Sequence, residues 1–535
     1  MNYGGQDQQQ ANAMIPNVLL QNSAVDENQD TILTTVRLEP NATSQISSVF
    51  ILPKSGSVLD SNSSLVWSVA WDQFAQANML NAGVIDQAVL AKHFSGCLNT
   101  IQRARLYVGG RLLFENPDVG LSAHLHKLST NPDHYQEVED CKLGSNHGIQ
   151  IQQPGAALAQ RGKIQTGSDG LVAVNNAARS DQMCRIVGSY NLTPANNYSW
   201  EATLLLSDVF PALKHLQLPI KFLRDEVRVE IDWQTGFLET LNMACNNTTA
   251  IVVANQTVSI NNPLLYLDYL TYNDEVEAGL AMASAQGITI PYREIDLIQK
   301  QLPAITTAAS SQDIFLGFQG KLLMKIYVSH KFSDTSVTTA NPANPAAGVA
   351  YRRFNGRCRS DMGENMKYNL IINDLHIHDS KVDTPSQQYS YLSMTAENPI
   401  YAFPNSMDFN AIFNRTGGAG AGVAADITSS LFVAGGREVT ANAANDGISA
   451  VNARDGIIGT QAFIGFDLSR YGVEGGLTAQ NAGFRVGSTP IILNIEQDGG
   501  AAITARQGSV KQVDVICESV KMLQIRNGMC DTMEA

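Results

Sequence analysis

A chain of 535 residues with 44% hydrophobic side chains can bury sizeable cores, and its length suggests about two to four domains. Charged residues make up only 16%, against roughly 25% in average globular proteins, which suits much of the surface to burial against other subunits. A net charge of −14 argues against a broad nucleic-acid-binding face, since neutralising phosphates needs clustered Lys and Arg.

Residues 1–30 are polar, rich in Gln and Asn, and broken by Gly4, Gly5 and Pro16, so they read as an N-terminal arm and not as core. Alternating or β-branched runs follow at Ile46–Leu52, Leu65–Trp71, Ile101–Val108 and Trp200–Leu206. Next comes FPALKHLQLPIKFLRDEVRVEIDW, Phe210–Trp233. Phe210, Leu213 and Leu216 recur at helical spacing between Pro211 and Pro219, which allows at most about two turns. Val227, Val229 and Ile231 then alternate with Arg228, Glu230 and Asp232, the period-2 pattern of a strand with one buried and one wet face. Further strands are expected at Ile251–Ile260 and Leu264–Tyr272. Such spacing, with Gly, Pro, Asn and Asp between the runs, describes a β-sandwich over residues 31–273.

At Asn273 the pattern changes. NDEVEAGLAMASAQG offers a cap, early acids, good helix formers and a closing Gly287, which predicts a linking helix over 274–287. Strands resume at Ile288–Leu297, Lys321–Val328, Lys367–His378, Ala462–Leu468, Ile491–Ile495 and Val513–Ile525, so residues 288–535 are expected to form a second sandwich. LYVGGRLLFEN from Leu106 and LIINDLHIHDS from Leu370 echo one another as apolar strands turned by a Gly-Gly or Asn-Asp pair. Two long insertions, 140–180 and 412–459, are rich in Ala, Gly, Asn and Thr; loops of that length are usually functional or partner-bound.

The seven cysteines, Cys97, Cys141, Cys184, Cys245, Cys358, Cys517 and Cys530, are scattered, form no CxxC pair, and read as reduced thiols of a protein assembled in cytoplasm or nucleus. Sequons such as Asn41-Ala42-Thr43 are expected by chance in so Asn-rich a chain and, with no basic-then-apolar leader, to stay unmodified. No apolar run approaches the roughly 18 residues of a membrane span.

His376 and His378 alternate onto one face of a strand, as in the metal pair of cupin-type jelly rolls. The carboxylate such a site needs is missing: Lys381 and Val382 stand where it is first sought, with Asp383 as a late substitute. A solvent-facing or interface pair is the better reading, and His124 with His126 reads the same way. The run Tyr351, Arg352, Arg353, Phe354, Asn355, Gly356, Arg357, Cys358, Arg359 interleaves aromatics with arginines, a pattern that fits nucleic acid but fits ion pairing across a subunit contact better. There is no Gly-x-Ser-x-Gly elbow, Walker loop or His-Glu-x-x-His, so no catalytic residue, metal ligand or cofactor is expected.

Five segments in order resemble the double jelly-roll major capsid proteins of eukaryotic DNA viruses, the lineage of nucleocytoplasmic large DNA viruses, virophages and polinton-like viruses. They are ARLYVGGRLLFENP (Ala104–Pro117), LPIKFLRDEVRVEIDW (Leu218–Trp233), LLYLDYLTYNDEVEAGLA (Leu264–Ala281), AFIGFDLSRYG (Ala462–Gly472) and VDVICESVKMLQIRNGM (Val513–Met529). Leu468 stands where the family has Phe, and the usual basic residues after Asp274 and Glu275 are absent. The resemblance implies an all-β chain of two consecutive eight-stranded jelly rolls. Three chains would form a pseudo-hexagonal capsomer that tiles an icosahedral shell around double-stranded DNA. Implied partners are the chain itself, minor capsid and penton proteins, and an internal membrane under the shell. A viral β-sandwich spike or glycan-binding surface protein is the alternative of a different class.

Overall fold

The computed structural model describes residues 31–71, 88–89, 96–128, 140–143, 198–214, 216–236, 243–246, 258–305, 308–318, 320–332, 351–354, 366–372, 375–376, 381–382, 464–469, 484–486, 491–497 and 511–534, with single positions at 387, 391 and 395. The expected arm and nearly all of both insertions lie outside the described residues.

The first half is built on β1 (Ile32–Leu38), β2 (Ser47–Leu52), β3 (Ser64–Trp71), β4 (Ile101–Val108), β5 (Arg111–Asn116), β6 (Tyr198–Leu205), β7 (Val227–Trp233) and β8 (Ser259–Thr271). They form two antiparallel sheets, in the orders β1-β8-β3-β6 and β2-β7-β4-β5. The second half is built on β9 (Ile288–Leu302), β10 (Ser310–Leu316), β11 (Leu322–Phe332), β12 (Met366–Ile372), β13 (Leu375–His376), β14 (Ile464–Asp467), β15 (Ile491–Gln497) and β16 (Lys511–Arg526). Its sheets run β9-β16-β11-β14 and β10-β15-β12-β13. The second set of orders is the first shifted by one whole roll, so the halves share one topology. Two sheets filled alternately by successive strands in this order make a jelly roll, and the chain is a double one.

Antiparallel pairing also fixes where the connections go. β1 runs antiparallel to β8, from Ile32 beside Thr271 to Leu38 beside Leu265, and the end of β3 lies beside the starts of β8 and β6, as Ala70 pairs with Ser259 and Trp71 with Tyr198. The links β1–β2, β3–β4, β5–β6 and β7–β8 therefore emerge from one end of the roll, and their counterparts do the same in the second. The insertions at 140–180 and 412–459 fall on equivalent links, β5–β6 and β13–β14. The two echoing hairpins are likewise equivalent, β4–β5 and β12–β13. Gly109 and Gly110 make the first turn with φ of 58° and 82°, left-handed values that glycine adopts without strain.

Period-2 burial builds the cores. Val227, Val229, Ile231 and Trp233 point inward from β7, and the intervening Arg228, Glu230 and Asp232 point outward, as the alternation predicts. Trp67 and Trp233 lie 6.0 Å apart in the first core. Each indole N–H donates to a buried hydroxyl, Thr100 and Ser48 respectively, at 2.9 Å, so neither tryptophan leaves a donor unpaired. One expectation needs correction: the two runs ending the first roll are not separate strands. Ser259–Thr271 is continuous, with a register shift between Asn261 and Leu264 where Asn262 takes φ of 48°; residues 251–257 lie outside the described residues. A bulge keeps the apolar residues on one face despite the extra residue.

Among the described residues, two helices longer than five residues punctuate the strands. The first, α1 (Val119–Leu128), lies in the β5–β6 link, where Asp118 accepts from the Leu121 N–H at 2.9 Å. The second, α2 (Asp274–Gln286), has the Asn273 side chain accepting from the Val276 N–H and ends at Gly287, φ 114°. Its Glu277 accepts from Lys221 at 2.6 Å and from the Ser57 hydroxyl, and these two hydrogen bonds hold its carboxyl below the usual range. A depressed folded-state pKa means that this link is intact above pH 4.5 or so and is lost as pH falls through the lower, folded value. Glu277→Gln is accordingly expected to flatten the acid limb of the stability curve and to leave the slope above pH 6 unchanged, as read by urea melts across pH.

Candidate functional site

Among the described residues, no three His, Cys, Asp or Glu side chains gather closely enough to hold a metal ion. His376 sits exposed on β13 with its Nδ1 2.8 Å from Asn369 Nδ2; His378 and Asp383 lie outside the described residues. Lys381 is ion-paired with Glu496, and Val382 is buried, bridged to Tyr368 through the backbone. His124 is buried in α1, and the side chain of His126 lies outside the described residues.

Tyr351–Phe354, the start of the basic run, forms a short strand against Met243–Asn246, which in turn pairs with Ala88–Val89. The three segments come from the β11–β12, β7–β8 and β3–β4 links. A small sheet thus ties together connections of both rolls at the insertion end, a backbone role that the sequence reading of the run did not include. Residues 355–359 lie outside the described residues.

The rolls are joined through a shared ribbon. Paired β9 and β16 are long enough to serve both cores: Ile288, Ile290, Tyr292, Leu523 and Ile525 pack in the first, while Leu302, Val513, Val515 and Cys517 pack in the second. Between these apolar ends one face of the ribbon is charged. Lys521 is paired with Glu294 and lies 3.7 Å from Glu534; Lys321 lies 2.6 Å from Asp296, which also accepts from the Ser519 hydroxyl at 3.3 Å. The side chains of Glu294 and Lys521 are only 13% and 18% exposed, so desolvation opposes the pair even as Coulomb attraction favours it. Burial raises the Glu294 carboxyl above its usual range, and the hydrogen bond from Lys521 only partly offsets this. For Lys521 burial acts downward, but Glu294 outweighs it and holds the ammonium above its usual value.

A second contact reinforces the junction. Leu121 and Leu125, one turn apart on α1, pack on Tyr327 and Ile516 with Ile295 and Leu297 beside them, so the first roll's helix lies on the outer face of the second roll's sheet. Phe114 meets Tyr292 edge-on at 5.0 Å. At the opposite end from the insertions, the Asn527-Gly528 turn docks on the first roll, where the Arg224 N–H donates to the Gly528 carbonyl at 2.8 Å.

The outer faces of the two equivalent sheets differ in chemistry. On β2-β7-β4-β5, Arg105 lies 2.9 Å from Asp232 and 3.5 Å from Glu230, Arg103 lies 3.0 Å from Asp232, and Arg228 lies 3.1 Å from Glu230 while stacking over Tyr107. That face satisfies its own charge. On β10-β15-β12, Phe315 is paired with Ile492 and Ile492 with Ile371, an apolar row in which Phe315 is 61% exposed. What the described residues offer is extended β surface on a two-roll body.

No family model matches the chain, and no curated protein does. Solved structures do. The mavirus major capsid protein superposes with a TM-score of 0.52 at 11% identity, covering 93% of this chain and 90% of its own. A chain of the Sputnik virophage gives 0.50 at 11% identity, with 96% and 90% covered, and one from the PBCV-1 virus capsid gives 0.50 at 9% identity, with 96% and 98% covered. At such identities the likeness is one of fold, and it spans nearly the whole of each chain: this protein has the double jelly-roll fold that these viral capsid structures carry.

Proposed function

We propose that this chain is a major capsid protein, a structural subunit and not an enzyme, residing in the shell of an icosahedral double-stranded DNA virus. The observation that carries the reading is the repeated topology: two rolls with one strand order, held side by side by a common ribbon, give a subunit with two similar lobes. Three such subunits around an axis present six similar lobes, which is the shape that tiles a hexagonal lattice with closed symmetric contacts. In this reading residues 1–30 are an arm, 31–273 and 288–535 are the two rolls, and 274–287 links them. The insertions, both on β5–β6-type links, are in this reading the partner-facing segments. Neighbouring capsomers, minor capsid and penton proteins are the expected partners, with assembly in host cytoplasm or nucleus.

Electron microscopy of the purified chain tests this. Six-lobed particles with threefold symmetry, or shells built from them, are the expected result; isolated two-lobed particles at all concentrations contradict it.

Assembly in a reducing compartment carries its own expectation. Cys97, Cys517 and Cys530 are buried thiols, and burial pushes Cys530 up to about 12 and Cys517 upward as well, which keeps both protonated and unreactive at neutral pH. Adding reductant should therefore leave the melting temperature unchanged, whereas a fall of about 5 °C or more reveals a stabilising bridge.

A further inference from the structure

The first strand is the least covered element of the first roll. Among the described residues β1 pairs with β8 alone, leaving its other edge with a row of unpaired N–H and C=O groups. Its first two side chains fall on opposite faces of the sheet and are both exposed, Ile32 by 63% and Leu33 by 58%; Val36 and Leu38 further along are only partly buried. A seven-residue edge with apolar groups on both faces and no proline carries only one of the usual devices that stop strand addition, the charge of Arg37.

The chain itself supplies a complementary segment. Residues 1–30 precede β1, and their most apolar stretch is Met14-Ile15-Pro16-Asn17-Val18-Leu19-Leu20. Residues 21–31 separate that stretch from Ile32 and include Asp26, Glu27 and Asp30, a composition suited to a solvated loop. A loop of that length reaches back easily and holds the segment at an effective concentration of about millimolar, well above that of a separate chain in dilute solution. Pro16 fits as well. It cannot donate a hydrogen bond, so in a sheet it belongs on an edge strand, where it also blocks the addition of a further strand.

We propose that Met14–Leu20 folds back as an added edge strand on β1 of the same chain, antiparallel to it, with Val18, Leu19 and Leu20 covering Ile32 and Leu33 and with Pro16 blunting the new edge. This closes the first roll's open edge and is independent of the capsid reading.

Hydrogen exchange on the full-length chain tests it by following the β1 amides, with β8 as the internal reference. In the wild-type chain, slow exchange along Ile32–Leu38 is expected. The double variant V18D/L20D and, separately, Leu19→Pro should each speed β1 exchange by about tenfold or more while β8 stays protected, because a stripped edge opens locally without global unfolding. Equal β1 exchange in all three proteins overturns the proposal. A cysteine pair, Leu19→Cys with Leu33→Cys, decides whose segment is bound: a bridge within one chain supports it, and a bridge that links two chains assigns the site to a neighbour's arm and overturns the same-chain form.

Discussion

Replacing Lys521 by alanine is expected to destabilise the protein by about 3–5 kcal/mol, because it strands Glu294 as a largely buried, unpaired carboxylate in the middle of the shared ribbon. The paired replacement Lys521→Met with Glu294→Leu should recover most of that loss, since two buried charges and their desolvation leave together. Glu294→Gln is expected to cost less, because Lys521 keeps Glu534 3.7 Å away as a second partner, and its pH signature is opposite to that of Glu277. The Glu294 carboxyl is raised, so its protonated form stabilises the fold at low pH, and that contribution fades as pH rises through the folded value. The glutamine variant should therefore lose less stability than the wild type on going from pH 5 to pH 8, as measured by denaturant melts.

Tyr292→Ala should cost about 3–5 kcal/mol, in the range of large-to-small aromatic changes in well-packed cores. Tyr292 is 1% exposed and belongs to the second roll's first strand, yet it packs in the first roll's core against Phe114. Its loss is expected to uncouple the rolls as well as weaken one of them. Calorimetry should show one cooperative transition for the wild type and a broadened or split one for the variant. Two separate transitions already present in the wild type would mean that the ribbon does not join the rolls into one unit.

Strand positions were legible wherever a strand is long, alternating and central. Ile101–Val108 and Val227–Trp233 have the bounds that period-2 burial gave them, because each buries one complete face. The edge strands were less visible: β10 reads Ser-Ser-Gln-Asp-Ile-Phe-Leu, with its polar half exposed, and β1 and the strand β17 (Met529–Glu534) that pairs with the end of β16 likewise lack a buried face. Helix α1 went unread although Asp118 and the Leu121 and Leu125 spacing announce it, since a ten-residue helix inside a long link offers little periodicity to count. The five segments resembling capsid proteins fall on the hairpin β4–β5, the approach to β7, β8 with α2, β14, and β16 with its turn.

The site was less legible than the fold. Glu294, Asp296 and Lys521 alternate with apolar residues just as solvent-facing charges do, and nothing local marks them as the buried divider between two cores. That role arises because β9 and β16 run past the end of one core into the other, a tertiary fact. The order β1-β8-β3-β6 is equally hidden, since it pairs strands far apart in the chain, as with Leu38 and Leu265 or Leu65 and Leu204. His376 illustrates the converse: its alternation with His378 was visible, but its partner, Asn369, is an amide on the neighbouring strand.

The central claim, that two joined rolls serve as one subunit of a threefold capsomer, is tested most directly by the mass of the purified protein in solution at micromolar concentration, by light scattering. The account predicts three chains per particle, with no folded monomer surviving dilution because an obligate interface supplies part of the stability. A stable, soluble monomer at that concentration contradicts it.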